Sequence, residues 1–253
     1  MSETVPETVP EIVLIHGAAH GAWCWHRVVP LLQAMGHRVR AIDLPSHGDD
    51  PTPPETVTLQ DYTRATLAAA GGRAILVGHS MAGVVITAAA EAAPDRIAGL
   101  IYLCAHLPRA GWSVASSRKA AARQPLAGTF LIAPDRKTFT FDPAAIRDRF
   151  YHDCAEEDVA LARARLCPQA ILPQETPVPS TARAETLPRF YIRCSEDRAI
   201  PPEWQAELAS PLPAGHVSTL PCGHSPFFAL PEALARRIDA IARQIDSGTV
   251  NLG

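Results

Sequence analysis

Ser80 stands in the run Ala74-Ile75-Leu76-Val77-Gly78-His79-Ser80-Met81-Ala82-Gly83, where an apolar stretch gives way to a small-residue helical pattern. A serine at a tight strand-to-helix turn presents its hydroxyl for nucleophilic attack, and its neighbours two places away must be small. Gly78 and Ala82 occupy those places. The usual pattern has glycine at the second of them; here Ala82 departs from it, and Gly83 follows one residue later. A serine that only caps a helix is the plainer alternative. Strand, turn and helix in register favour the nucleophile, because ligands of parallel sheets bind at the carboxyl ends of central strands.

A serine hydroxyl is a weak nucleophile until an adjacent base takes its proton. Ten histidines are present, and most need only a structural explanation. His224 is set apart by its place in Pro221-Cys222-Gly223-His224-Ser225, after the last strand pattern and before the last helix pattern. A carboxylate to orient the imidazole is expected after the preceding strand, in Ser195-Glu196-Asp197, with Asp197 first and Glu196 in reserve. The order Ser80, Asp197, His224 is the one that a nucleophile on a sheet of this kind requires. An oxyanion needs preorganised N–H donors. Met81, directly after the nucleophile, is one candidate, and Ala18 in His16-Gly17-Ala18-Ala19 after the first apolar run is the other.

These side chains need a scaffold that brings strand ends together. Apolar runs at 12–15, 38–44, 74–77, 97–105, 189–194 and 216–220 alternate with helical patterns at 23–35, 59–70, 81–92, 202–208 and 231–245. That alternation predicts an α/β fold with a mostly parallel central sheet flanked by helices. The rhythm breaks between 107 and 187, where the pattern is helical or irregular and rich in aromatics. We read 107–187 as a helical cap inserted after the fourth strand, since so long a loop without structure of its own is uncommon. The expected organisation is a flexible N-terminal arm at 1–10, a core at 11–106 and 188–247, and the cap between them. Trp112, Phe130 and Phe150 of the cap are candidates for an apolar substrate wall, although core packing is the commoner role of any one aromatic.

Composition narrows the rest. Hydrophobic residues make up 47% and charged residues 19%, enough apolar material for a core and too little charge for a disordered chain. The net charge of -3, without a basic stripe, disfavours nucleic acid as a partner. The first ten residues lack a basic region and an apolar region, and no apolar run approaches membrane-spanning length, so a cytoplasmic location without a membrane partner is expected. Six cysteines without a C-x-x-C pair read as reduced structural thiols. His16, His20 and His26 do not have metal-ligand spacing, and no acidic cluster accompanies them, so no metal or organic cofactor is expected.

HGAAHGAWCWHRVVPLL at 16–32 and GHSMAG at 78–83 resemble the α/β-hydrolase branch that contains plant methyl esterases and hydroxynitrile lyases. SEDRAIPPEWQ at 195–205 is similar to the acid loop of that branch, which places the acid on Asp197. Bacterial esterases of the pyrethroid-hydrolase type look closer still in the cap and the C-terminal third. The resemblance implies an α/β-hydrolase fold, a small-molecule ester as substrate, and a pocket edged by Gly17, His20 and Trp23. The lyases of the branch carry Lys after the catalytic His and Thr near the nucleophile; here Ser225 and Gly17 stand at those places. Both differences favour a serine carboxylesterase acting on small to medium apolar (alkyl or aryl) esters. Cyanohydrin cleavage and a non-catalytic small-ligand receptor are the alternatives, and a homodimer is one open assembly.

Overall fold

Residues 10–248 are described by the computed structural model. The expected N-terminal arm lies outside the described residues except for Pro10, which is buried. The strands are β1 (Glu11–Ile15), β2 (Val39–Ile42), β3 (Ala74–His79), β4 (Ile97–Leu103), β5 (Phe130–Ile132), β6 (Thr138–Phe141), β7 (Gln169–Ala170), β8 (Arg189–Cys194) and β9 (Val217–Leu220). Six of them form one sheet in the order β2-β1-β3-β4-β8-β9, and every pairing in it is parallel. β1, β3 and β4 are buried along their whole length, which is why they read as unbroken apolar runs rather than as alternating ones.

The helices are α1 (Val28–Ala34), α2 (Leu59–Ala69), α3 (Ala82–Ala92), α4 (Val114–Ala120), α5 (Pro143–Phe150), α6 (Glu156–Arg165), α7 (Ile171–Glu175), α8 (Pro202–Ala209), α9 (Pro226–Ala229) and α10 (Pro231–Asp246). Successive strand residues face opposite ways, so the sheet feeds two cores. Ile12, Leu14, Ile75 and Val77 pack with Val28 and Leu32 of α1 and with Leu234 and Ile238 of α10. Val13, Ile15, Leu76 and Leu100 pack on the other face with Tyr62 of α2, Val85 and Ile86 of α3 and Leu208 of α8. The chain leaves β1 toward β2 and returns to β3 on the other side of β1. Loops after β1 and β3 therefore diverge and leave a crevice at their carboxyl ends.

Two local expectations are corrected. The helix expected at 23–35 is divided into a 3-10 turn at Ala22–Trp25 and α1, and the Ala22 N–H that starts the turn donates to Asp43 Oδ1 at 2.6 Å. The segment between β4 and β8 is not purely helical. Besides α4 to α7 it holds an antiparallel sheet in the order β5-β6-β7. The Thr138-Phe139-Thr140-Phe141 alternation is the strand signal: Phe139 and Phe141 are buried while Thr140 is exposed.

Among the described residues no helix is long and apolar enough to cross a membrane. All six cysteines are free, and five of them are buried.

Candidate active site

Ser80 follows β3 directly and has φ +54°, a left-handed backbone that an L residue adopts only when its surroundings enforce it. The enforcing contacts are close approaches of backbone. A Cβ on Gly78 would lie 2.7 Å from the Ala82 carbonyl oxygen, and one on Gly83 would lie 2.1 Å from the His106 carbonyl oxygen. The Ser80 carbonyl accepts from the N–H groups of His106 (3.0 Å) and Gly83 (3.3 Å). The chain leaving β4 thus runs against residue 83, so glycine is needed there. Residue 82 is buried with its methyl group accommodated, which accounts for the Ala82 departure from the usual pattern.

His224 lies in the loop after β9. Its Nε2 accepts from the Ser80 hydroxyl at 3.1 Å, and its Nδ1–H donates to Asp197 Oδ2 at 2.7 Å. Asp197 follows β8 and is buried, whereas Glu196 is exposed and makes no side-chain contact with the imidazole. The Asp197 carboxylate also accepts from the Ala199 and Ile200 N–H groups at 2.7 and 2.8 Å and from the Gln205 amide at 2.9 Å. Three positions far apart in sequence therefore form one hydrogen-bonded line. Gln205, on α8, was not singled out from sequence; a glutamine on an amphipathic helix carries no mark that it faces inward.

The loop after β1 turns through Ala19, which has φ +62°. The Ala18 and Met81 N–H groups have no protein acceptor among the described residues, and both residues border the cavity above Ser80. Gly17 backs Ser80: a Cβ there would meet His79 Nδ1 at 2.7 Å and Ser80 Cβ at 3.0 Å, so a larger residue would force a shift. The loop is pinned from the inserted segment. The Ala19 N–H donates to Gln169 Oε1 at 3.0 Å, and the Ala19 carbonyl accepts from the Cys167 N–H at 3.0 Å. His20 donates from Nδ1 to the Ala18 carbonyl at 2.7 Å and accepts at Nε2 from the Tyr151 hydroxyl at 2.6 Å.

A cavity of about 670 Å³, counting space open to solvent, lies above Ser80 and His224. Of the residues proposed from sequence as substrate contacts, His20, Phe130 and Phe150 line it. Gly17 lies beneath its floor, and neither Trp23 nor Trp112 reaches it. Trp23 stacks behind His20 with ring centres 5.4 Å apart, and Trp112 stacks behind Trp204 at 6.2 Å. In each case another ring occupies the wall. Lining residues not expected from sequence include His106, Arg118, Phe139, Phe141, Gln174 and Trp204. Phe139 and Phe141 had a readable signal in their alternation; Arg118 and Trp204 had none.

The buried imidazoles around the site are held neutral. Burial pulls His20 down to about 4 and His106 down to about 3. His16, His47 and His79 are lowered too, with burial the largest cause for each. His79, Cys104 and His224 offer ligand atoms within 4.8 Å of one another, the one such trio among the described residues. His79 Nδ1 has no hydrogen-bond partner among the described residues, but the other ligand atoms are engaged. His79 Nε2–H donates to the His224 carbonyl at 2.8 Å, the Cys104 thiol is pushed up to about 12 by burial, and His224 uses both ring nitrogens as described. The trio does not offer a free donor set for a cation.

A pyrethroid hydrolase from Sphingobium wenxiniae is 36% identical over 249 residues, covering 91% of this chain and 87% of that protein. Salicylic acid-binding protein 2 from Nicotiana tabacum is 33% identical, covering 76% of this chain and 81% of that protein. Among solved structures, the Arabidopsis methylesterase MES16 superposes with a TM-score of 0.78 at 27% identity, covering 93% of this chain and 99% of that one. The family model described as the alpha/beta hydrolase family matches residues 12–237, nearly the whole described chain. The parallel sheet with its crevice between β1 and β3 is the architecture that such a match demands, and the chain belongs to the alpha/beta hydrolase family.

Proposed function

We propose that the chain is a serine carboxylesterase that hydrolyses small to medium alkyl or aryl esters through an acyl-enzyme. The observation that carries this reading is the continuous line from Ser80 Oγ through His224 to Asp197, at 3.1 and 2.7 Å, at the base of an aromatic-lined cavity. Relatives named pyrethroid hydrolase and methylesterase support an ester as the bond attacked.

His224 Nε2 takes the Ser80 proton as Oγ adds to the ester carbonyl. Asp197 keeps the proton on Nδ1 and stabilises the imidazolium that forms. The Ala18 and Met81 N–H groups hold the negative oxygen of the tetrahedral intermediate. The intermediate collapses, the bond to the alcohol oxygen breaks, and His224 returns the proton to the leaving alcohol. Water then adds to the acyl carbonyl with His224 again as base, and the carboxylic acid departs as Ser80 regains its proton. No step calls for a metal or organic cofactor. The inserted segment acts as a cap: Phe150 lies with its ring centre 5.7 Å from that of His224, and with Phe130, Phe139 and Phe141 it supplies apolar surface for the substrate.

The test is a panel of p-nitrophenyl esters with Ser80→Ala as control, its fold checked by circular dichroism. Loss of the nucleophile is expected to lower kcat by about 10⁴-fold or more. A serine-reactive phosphonate should label Ser80 in the wild type. A folded Ser80→Ala variant with undiminished turnover overturns the reading.

A further inference from the structure

The cavity wall carries an unbalanced charge. Its lining includes two arginines, Arg118 and Arg123, and no aspartate or glutamate. Arg123 is neutralised by a two-point ion pair with Glu203 at the rim. Arg118 has no ion pair or side-chain hydrogen bond among the described residues, and its guanidinium lies 4.4 Å from the centre of the Phe130 ring. The cavity-facing histidines His20 and His106 are held neutral, as described above. The cation therefore stands in a cavity of opposite sign to the chain's net charge of -3.

Its placement is not that of a surface arginine bending back to water. Val114, Arg118 and Ala121 all line the cavity, and their spacing of four and three residues is one face of α4 continued past its end. Arg118 is half-buried, and burial is the main influence on its guanidinium, pulling its pKa down, with Glu175 the charge that opposes the shift. Glu175 is exposed and does not line the cavity. The charge of Arg118 is also the second cause, after burial, of the lowered pKa of His106, whose backbone holds the Ser80 carbonyl. The field of Arg118 thus reaches the reactive end of the cavity. Beyond the Phe130 face, this half-buried cation has no counter-charge in the cavity lining, and a bound anion would supply one; a planar guanidinium matches a carboxylate better than it matches any neutral group.

We propose that Arg118 is a specificity residue, and that the preferred substrate is an alkyl or aryl ester carrying a carboxylate on one of its two arms. The carboxylate pairs with Arg118 while the apolar part of that arm lies on Phe130 and its aromatic neighbours. The inference rests on the esterase reading above and narrows it from esters in general to monoanionic ones. The carboxylate sits on the acyl arm in a half-ester of a dicarboxylic acid, and on the alcohol arm in an O-acylated hydroxy acid.

The experiment compares kcat/KM of the full chain for monoethyl succinate, glutarate and adipate, for 4-acetoxybutanoate, and for the matched neutral diesters. Wild type, Arg118→Gln and Arg118→Lys are assayed, with p-nitrophenyl butyrate as a neutral reference. The expected result is a wild-type preference for one anionic ester over its neutral match. Arg118→Gln should lower that selectivity ratio about tenfold or more, chiefly through KM, as loss of one charge-assisted hydrogen bond pair implies. Arg118→Lys should recover part of it. A wild type that prefers the neutral match for every ester, or an Arg118→Gln variant that slows both classes equally, overturns the proposal. If p-nitrophenyl butyrate is turned over in a Ser80-dependent way in that case, the esterase reading stands and only the anionic preference falls. If no ester is turned over, the esterase reading falls. Calorimetric binding of the half-esters to Ser80→Ala then decides the Arg118 site by itself: binding lost in the double variant with Arg118→Gln supports it, and no binding overturns it.

Discussion

At the scale of single residues, the acid is the most heavily fixed member of the proposed triad. Asp197 accepts three hydrogen bonds besides that from His224, two of them from the backbone of the same loop. These bonds hold the carboxylate in one orientation, so the imidazole has one orientation as well. The adjacent Glu196 is exposed, and only its backbone takes part, donating to the Cys222 carbonyl at 2.9 Å and accepting from His152 Nε2 at 3.0 Å. Asp197→Asn should therefore lower kcat by roughly 10⁴-fold, the scale set by holding the base in the wrong tautomer. Glu196→Gln should leave kcat within about twofold, the ordinary result for an exposed side chain with no special role. Steady-state rates on p-nitrophenyl butyrate compare the two, and a greater loss from Glu196→Gln would transfer the acid role. Residue types alone put Asp197 first with Glu196 in reserve, and the family resemblance places the acid on Asp197. Two adjacent carboxylates on one loop differ only in which way the turn points them, and the turn is set by the bonds to Ala199 and Ile200.

Among the elements, the loop after β1 depends on the inserted segment more than on the sheet. Ala19 is held at positive φ, and the side chain of Gln169 on β7 is what satisfies its N–H. The same Oε1 accepts from His47 Nε2–H at 3.0 Å, and the Gln169 amide donates to the Tyr62 hydroxyl at 3.0 Å. One buried glutamine thus joins the loop after β1, the loop after β2 and α2. Gln169→Leu would leave the Ala19 and His47 donors buried without partners, at a cost of about 1–3 kcal/mol each. Because the loop bears the proposed Ala18 donor, the expected kinetic effect is a fall in kcat of roughly tenfold with KM changed much less, the pattern of an interaction made mainly in the transition state. Thermal melting and steady-state kinetics read the two effects separately. A variant with lowered stability and unchanged kcat would make Gln169 a purely structural residue. The glutamine could not be singled out in the sequence, since Cys167-Pro168-Gln169 reads as a Pro-containing connector and its partners lie far away in the chain.

For the whole molecule, the notable property is how many imidazoles are buried uncharged. His16, His20, His47, His79 and His106 are all lowered in pKa, with burial the largest cause in each. On unfolding each returns to an ordinary value of about 6.5. Between that value and the folded value the unfolded chain binds more protons, so stability rises with pH. The stability is therefore complete above about pH 6.5 and is lost as pH falls toward the folded values of about 4 for His20 and about 3 for His106. By pH 5 each of these two should have removed about 2 kcal/mol. Thermal melts should show a clear fall in Tm from pH 7.5 to pH 5 and little change between pH 7.5 and 8.5. A Tm that is flat from pH 7.5 to pH 5 would mean that these histidines are not buried neutral.

The order of strands and helices was readable along the chain because local periodicity is a local property: buried parallel strands are continuous apolar runs, and α10 shows its buried face at Leu234, Ile238, Ile241 and Ile245. The meeting of Ser80, His224 and Asp197 was foreseeable too, since each sits at the carboxyl end of a strand and a parallel sheet gathers those ends on one edge. Depth across the cavity was not foreseeable. Whether Trp23 or His20, Trp112 or Trp204 forms the wall depends on how the segment between β4 and β8 folds back over the sheet, and that is decided by contacts such as Tyr151 to His20 and Gln169 to Ala19. Such contacts join residues more than a hundred positions apart, so neither spacing nor composition records them. The charge of Arg118, without an ion pair among the described residues, is of the same kind, because an arginine on a helix becomes informative only when the neighbours able to neutralise it have been placed.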